Sequence, residues 1–175
     1  MERGCGMESW KGCAYTALIV FGYLVRGNKV LIVRRANDPY KGQRTVPGGR
    51  KQREETLREA AVREVEEETG CRMRSMEYAG MLHALVEGRD MEYLSVYFIS
   101  RDFEGEPRDS EEGTVEWMDI DESLTMEDMH PTYLRLVPYI LKGNYPVEGS
   151  VRISADGESE YRLFGPGEHP APEAR

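Results

Sequence analysis

The pattern of apolar and polar positions changes period along the chain. Residues 14–25 (AYTALIVFGYLV) are apolar, β-branched or aromatic and read as a buried strand. The turn RGN (26–28) and a second apolar run, KVLIVRR (29–35), complete a predicted hairpin. Residues 36–49 lose all periodicity and carry Pro39, Gly42, Pro47, Gly48 and Gly49, so they read as a loop. From Thr56 the pattern becomes helical, with Thr56 and Glu59 in capping-box spacing and Gly70 as a stop signal. Alternating runs at 75–87 and 91–103 predict a second hairpin around GRD (88–90). An acidic loop (104–113) precedes a short strand (114–120). A helix is expected from Pro131, with Pro138 kinking it, and a last hairpin from 149–154 and 160–164. Strands and helices mix without strict alternation. The expectation is an α/β (α+β) domain over residues 14–164, a mixed β-sheet sandwiched between helices. Residues 1–13 form an N-terminal extension and 165–175, rich in Pro and Gly, a disordered tail.

Composition narrows the function. The chain has 175 residues and a formal charge of −9. That excess argues against duplex DNA binding, which needs a basic surface, but leaves room for a phosphorylated small molecule held through a metal ion. The longest apolar run is broken by Gly22 and too short to span a bilayer, so no membrane partner is expected. Cys5, Cys13 and Cys71 have neither disulfide nor zinc spacing, and the N-terminus lacks an apolar signal core. Both features point to a cytoplasmic protein with reduced thiols.

The helix after Thr56 poses the chemical question. Glu64, Glu66, Glu67 and Glu68 crowd its C-terminal end, where the helix dipole disfavours negative charge. At 100° per residue Leu57, Ala60, Ala61, Glu64, Glu67 and Glu68 share one face. That face begins apolar and ends in three carboxylates at i, i+3 and i+4. A run of glutamates is most often a solvated face. Clustered carboxylates of this spacing also suit Mg²⁺ or Mn²⁺, which take oxygen ligands and would offset both the repulsion and the dipole.

The flanking residues decide between these. From Gly49 the order is Gly, five residues, Glu55, seven residues, Arg63-Glu64-Val65, one residue, Glu67-Glu68, one residue, Gly70-Cys71. This resembles the Nudix box of the Nudix hydrolases at every fixed position. The resemblance implies a Nudix fold and a Mg²⁺- or Mn²⁺-dependent hydrolase of a nucleoside diphosphate linkage. It implies metal ligation by Glu64, Glu67 and Glu68, with the Gly49 carbonyl, and Arg63 orienting the glutamates. An acid from the loop before the Trp117 strand, best matched by Glu112, is implied as a further ligand or as the base. Whether Glu64 or Glu112 deprotonates the water stays open. Arg35 matches a basic residue facing the substrate, and Arg50 is a weaker candidate of the same kind.

Beyond the box the chain looks most like the MutT-like branch, which cleaves (oxidised) purine nucleoside triphosphates to a monophosphate and pyrophosphate. The positions implied for base recognition hold Thr45, where Asn is frequent, and His130-Pro131 followed by Thr132-Tyr133 in place of Trp-Pro-Asp-Asp. His130 or Tyr133 would stack on a base, and core packing is the competing role for both. These departures put the 8-oxo-purine preference in question but not the hydrolysis. The alternatives are hydrolysis of ADP-ribose or another nucleotide sugar, pyrophosphate removal from RNA 5′ ends, and a non-catalytic nucleotide-binding module. The partner is a small nucleotide, and a homodimer is compatible with the reading.

Overall fold

The computed structural model describes residues 15–88 and 91–169. The extension expected over 1–13 and residues 170–175 of the expected tail lie outside the described residues. Gly165–His169 are described. There the Gly165 N–H donates to the Glu168 carboxylate and the Glu168 N–H to the Gly165 carbonyl, closing a turn.

The elements in chain order are β1 (Tyr15–Arg26), β2 (Lys29–Arg35), β3 (Arg44–Thr45), β4 (Gly48–Arg50), α1 (Leu57–Thr69), β5 (Arg72–Met73), β6 (Glu77–Val86), β7 (Met91–Ser100), β8 (Phe103–Glu104), β9 (Gly113–Asp119), α2 (Ile120–Ser123), α3 (Pro131–Ile140), β10 (Val147–Ile153) and β11 (Ser159–Phe164). The main sheet runs β11-β10-β6-β7-β1-β2-β3, with β4 on β1 and β9 on β2. β1 is parallel to β7 and β10 to β6, while β6–β7, β10–β11 and β2–β9 are antiparallel. The sheet is therefore mixed, as expected.

Period-2 alternation along β1 builds two cores. Val20 and Leu24 face α1 and pack with Ala60, Ala61 and Val65, whereas Tyr23 and Val25 face α3 and pack with Tyr133, Leu136, Val137 and Ile140. The sheet is thus the filling between α1 and α3. Gly22, which interrupts the apolar run, marks the close approach of α1. A Cβ there would lie 2.5 Å from Val65 Cγ2. Burial of each such valine or leucine contributes roughly 1.5–3 kcal/mol.

α1 starts and stops where its capping signals lie. The Thr56 side chain accepts from the Glu59 N–H, the Glu59 carboxylate accepts from the Thr56 N–H, and Gly70 closes the helix at φ 75°. The short strands β3, β4, β5 and β8 and helix α2 have no apolar period of their own, and sequence patterning passed over them. α3 starts at the expected Pro131 and ends at Ile140, with Pro138 in its last turn.

Candidate metal-binding and hydrolytic site

The site begins where the loop after β2 returns to the sheet. β4 pairs with β1 through Phe21–Gly48, Val20–Gly49 and Ile19–Arg50, which lays the two glycines against α1. The Gly48 N–H donates to the Glu68 carboxylate at 3.1 Å. A side chain at Gly49 would put its Cβ 2.3 Å from Glu64 Oε2, so only glycine lets this backbone reach the carboxylate.

Arg63 organises the carboxylates around it. Its Nε and Nη2 donate to the two oxygens of Glu55 at 3.0 and 2.7 Å. Nη1 donates to Glu64 and Glu67 at 2.8 and 3.0 Å, and Nη2 also to the Arg50 carbonyl at 3.1 Å. The fork geometry of a guanidinium serves this many acceptors from fixed directions, as an ammonium would not. Arg63 holds the Glu55 carboxyl down to about 2, helped by the Gln52 N–H. The same carboxylates raise the Arg63 pKa above its ordinary value, with Glu55 the leading cause.

Glu64 and Glu68 behave differently. Burial raises Glu64 above the usual carboxylate range despite Arg63. Glu68 is 8% exposed, and burial pushes it up to about 7; the Gly48 N–H opposes this, the Glu64 charge adds to it, Arg35 opposes it, and Glu112 adds to it. Glu68 therefore feels the charges of both Glu64 and Glu112. Glu67 keeps 61% of its side chain in solvent. Among the described residues no three acidic, histidine or cysteine side chains already converge as a preformed metal cage. The donor set still fits a hard dication. It is all oxygen, its most buried member, Glu68, is only partly compensated, and a glycine backbone abuts it.

Glu112 stands across the site on the turn before β9. Its backbone carbonyl accepts from the Ala36 N–H at 2.8 Å. Asn37 Nδ2 donates to the Glu111 carbonyl at 3.1 Å and to Glu112 Oε2 at 3.4 Å. Arg35 ends β2, donates from Nε to the Pro39 carbonyl at 3.0 Å, and acts on both Glu68 and His130. Thr45 is half-buried on β3 opposite Val33. Arg50 offers Arg63 its carbonyl, and its side chain is exposed.

The two candidate stacking residues separate. Tyr133 is 2% exposed, stacks on Tyr23 at 6.1 Å and shares a hydrogen bond with Ser123 Oγ at 2.7 Å. It lies in the core beneath α3, where burial pushes its hydroxyl up to about 12, and it presents no face for stacking. His130 caps α3, with Nδ1 accepting from the Thr132 N–H at 3.2 Å, and its ring meets Tyr40 edge-on at 4.9 Å. Burial, then Arg35, lowers its pKa.

Tyr40 and Asn37 were missed by sequence reasoning. Tyr40 is 49% exposed, alone among the described large apolar side chains, and adopts φ 71°. An aromatic residue between Pro39 and Gly42 was the signal that could have marked it. Nothing in the composition marks Asn37, because its role depends on a turn 74 residues away.

The NUDIX domain family model matches residues 16–140. Over 64 residues the chain is 39% identical to an ADP-ribose pyrophosphatase of Methanocaldococcus jannaschii, a match covering 37% of this chain and 38% of that protein. Over 141 residues it is 26% identical to the uncharacterized Nudix hydrolase YvcI of Bacillus subtilis, covering 78% and 87%. The crystal structure of the mutator MutT protein from Bacillus halodurans superposes with a TM-score of 0.75 at 27% identity, covering 84% of this chain and 97% of that one.

Proposed function

Since the chain belongs to the Nudix family of hydrolases acting on nucleoside diphosphate derivatives, we propose that it cleaves a (d)NTP to the nucleoside monophosphate and pyrophosphate. Oxidised purine nucleotides fall within that class. The observation that carries this reading is the carboxylate cluster at the end of α1, in which Arg63 bonds Glu55, Glu64 and Glu67, the Gly48 N–H bonds Glu68, and Gly49 abuts Glu64.

Glu64, Glu67 and Glu68, with the Gly49 carbonyl and Glu112, would hold Mg²⁺ or Mn²⁺. Such an ion, when bound, neutralises phosphoryl oxygens and makes a water acidic. The rest falls to the chain. Arg63 keeps Glu55, Glu64 and Glu67 in register, so the carboxylates need no reorganisation at the moment of reaction. Arg35 adds positive charge beside the phosphates. Glu112 Oε1, which makes no hydrogen bond among the described residues, accepts the proton of the attacking water. The water oxygen forms the new bond to phosphorus, and the bridging oxygen leaves with its electron pair on pyrophosphate. The base stacks beside His130 and Tyr40.

The box keeps all its glutamates, which favours catalysis over a binding-only module. The relative named ADP-ribose pyrophosphatase supports a second reading, in which a nucleotide sugar occupies the same site. A panel of dGTP, 8-oxo-dGTP, ATP, ADP-ribose and triphosphorylated RNA, each with Mg²⁺, separates them. The expected result is pyrophosphate and monophosphate from a triphosphate. Phosphorylated ribose from ADP-ribose alone would favour the second reading, and no product from any member would overturn both.

A further inference from the structure

We propose that Asn37 is a positioning residue that holds the Glu112 carboxylate toward the site. The inference rests on the reading of Glu112 as a working carboxylate and adds to it the group that aims it.

The turn carrying Glu112 has backbone hydrogen bonds of its own besides the one Asn37 makes to the Glu111 carbonyl. Ser110 and Gly113 exchange backbone hydrogen bonds at 3.0 and 3.2 Å, and Ser110 Oγ accepts from the Glu112 N–H at 3.3 Å. The Ala36 N–H ties the Glu112 carbonyl to the end of β2. None of these bonds reaches the carboxylate. Glu112 is an exposed, flexible side chain, and the Glu68 charge works against its staying near. Asn37 supplies the missing hold, since its one amide nitrogen donates both to the Glu111 carbonyl and to Glu112 Oε2. The Glu111 carbonyl orients the amide plane, and the second N–H then points at the carboxylate. Oε2 thereby has a donor, and Oε1 has none among the described residues.

The requirement is specific to an amide. Aspartate at 37 has the same shape but turns two acceptors on the Glu111 carbonyl and the Glu112 carboxylate. Alanine removes the hold and leaves the backbone bonds intact.

The test uses full-length protein, the best substrate of the panel above with Mg²⁺, and the variants Asn37→Ala, Asn37→Asp, Glu112→Gln and Asn37→Asp/Glu112→Gln. Both single Asn37 variants are expected to lose about 10- to 100-fold in kcat with KM within about twofold. In the Glu112→Gln background Asn37→Asp is expected to cost nothing more. A metal-free crystal structure of Asn37→Ala is expected to keep the 110–113 backbone and lose a fixed Glu112 side chain. If Glu112→Gln is impaired while both Asn37 variants turn over normally, this inference falls and the reading of Glu112 stands. Additive losses in the double variant, or a Glu112 side chain unmoved in Asn37→Ala, also overturn it. Full activity in Glu112→Gln, or no cleavage of any panel member, removes the reading beneath it and Asn37 with it.

Discussion

The Gly48 N–H donates to the Glu68 carboxylate across 3.1 Å, and no other protein donor reaches that carboxylate among the described residues. One neutral donor is poor compensation for a buried anion with Glu64 and Glu112 nearby. The Gly48 N–H and Arg35 thus compensate the Glu68 carboxylate only in part.

A pH dependence of stability follows for the metal-free protein. The Glu68 carboxyl is raised from 4.5 to about 7 on folding, so between those values the folded state binds more protons than the unfolded one. Stability from this group is full below pH 4.5 and is lost as pH rises toward 7, amounting to roughly 3–4 kcal/mol. Glu68→Gln keeps an acceptor for the Gly48 N–H and never ionises. Urea unfolding in EDTA should show the variant gaining on the wild type by that amount between pH 4.5 and pH 8. A gap that stays constant with pH would contradict the assignment, and added Mg²⁺ should restore the wild type but not the variant.

Gly49→Ala should inactivate without unfolding. Its Cβ would fall 2.3 Å from Glu64 Oε2, so the carboxylate must shift by about an ångström. Misplacement of that size costs about 100-fold in turnover. Steady-state kinetics beside far-UV circular dichroism checks this, and a variant with wild-type kcat would show that Glu64 is not held to that position.

The sequence disclosed those parts of the fold with a period or a cap. β1, β2, β6, β7 and β9 follow the apolar alternation, and α1 ends at the predicted Thr56 and Gly70. Two- and three-residue strands such as β3 and β4 were illegible because partners across the sheet, not their own residues, make them strands. In the site, the box spacing put Arg63, Glu64, Glu67 and Glu68 on one helix, where local geometry brings Arg63 against Glu64 and Glu67. Asn37 and Tyr40 depend on how two distant loops meet, which no local pattern encodes. Tyr133 illustrates the converse. Its position in the chain suited a stacking role, but helix phase turns it into the core beside Tyr23.

Arg63→Lys is not a conservative change. A single ammonium cannot reach Glu55, Glu64, Glu67 and the Arg50 carbonyl together. Turnover should fall by at least about 10-fold, and stability by about 1–3 kcal/mol as partly buried charged groups lose partners. Kinetics and thermal unfolding report both; an unchanged kcat would show that the carboxylates order themselves.

Tyr40 should act on binding and not on chemistry. It lies against His130, and no hydrogen bond joins it to the carboxylates among the described residues. Loss of a stacking face worth about 1–3 kcal/mol should raise KM for a purine triphosphate about 10-fold in Tyr40→Ala, with kcat little changed. Tyr40→Phe should behave as the wild type. An unaltered KM in Tyr40→Ala would place the base elsewhere.

Titration of the purified protein with Mn²⁺, followed by the electron paramagnetic resonance signal of the free ion, tests the central claim most directly. Wild type should deplete free Mn²⁺ to a whole-number stoichiometry. Glu64→Gln/Glu67→Gln, folded by circular dichroism, should lose that binding together with nucleotide hydrolysis. Equal Mn²⁺ binding by the two proteins would mean that the carboxylates at the end of α1 do not hold the ion.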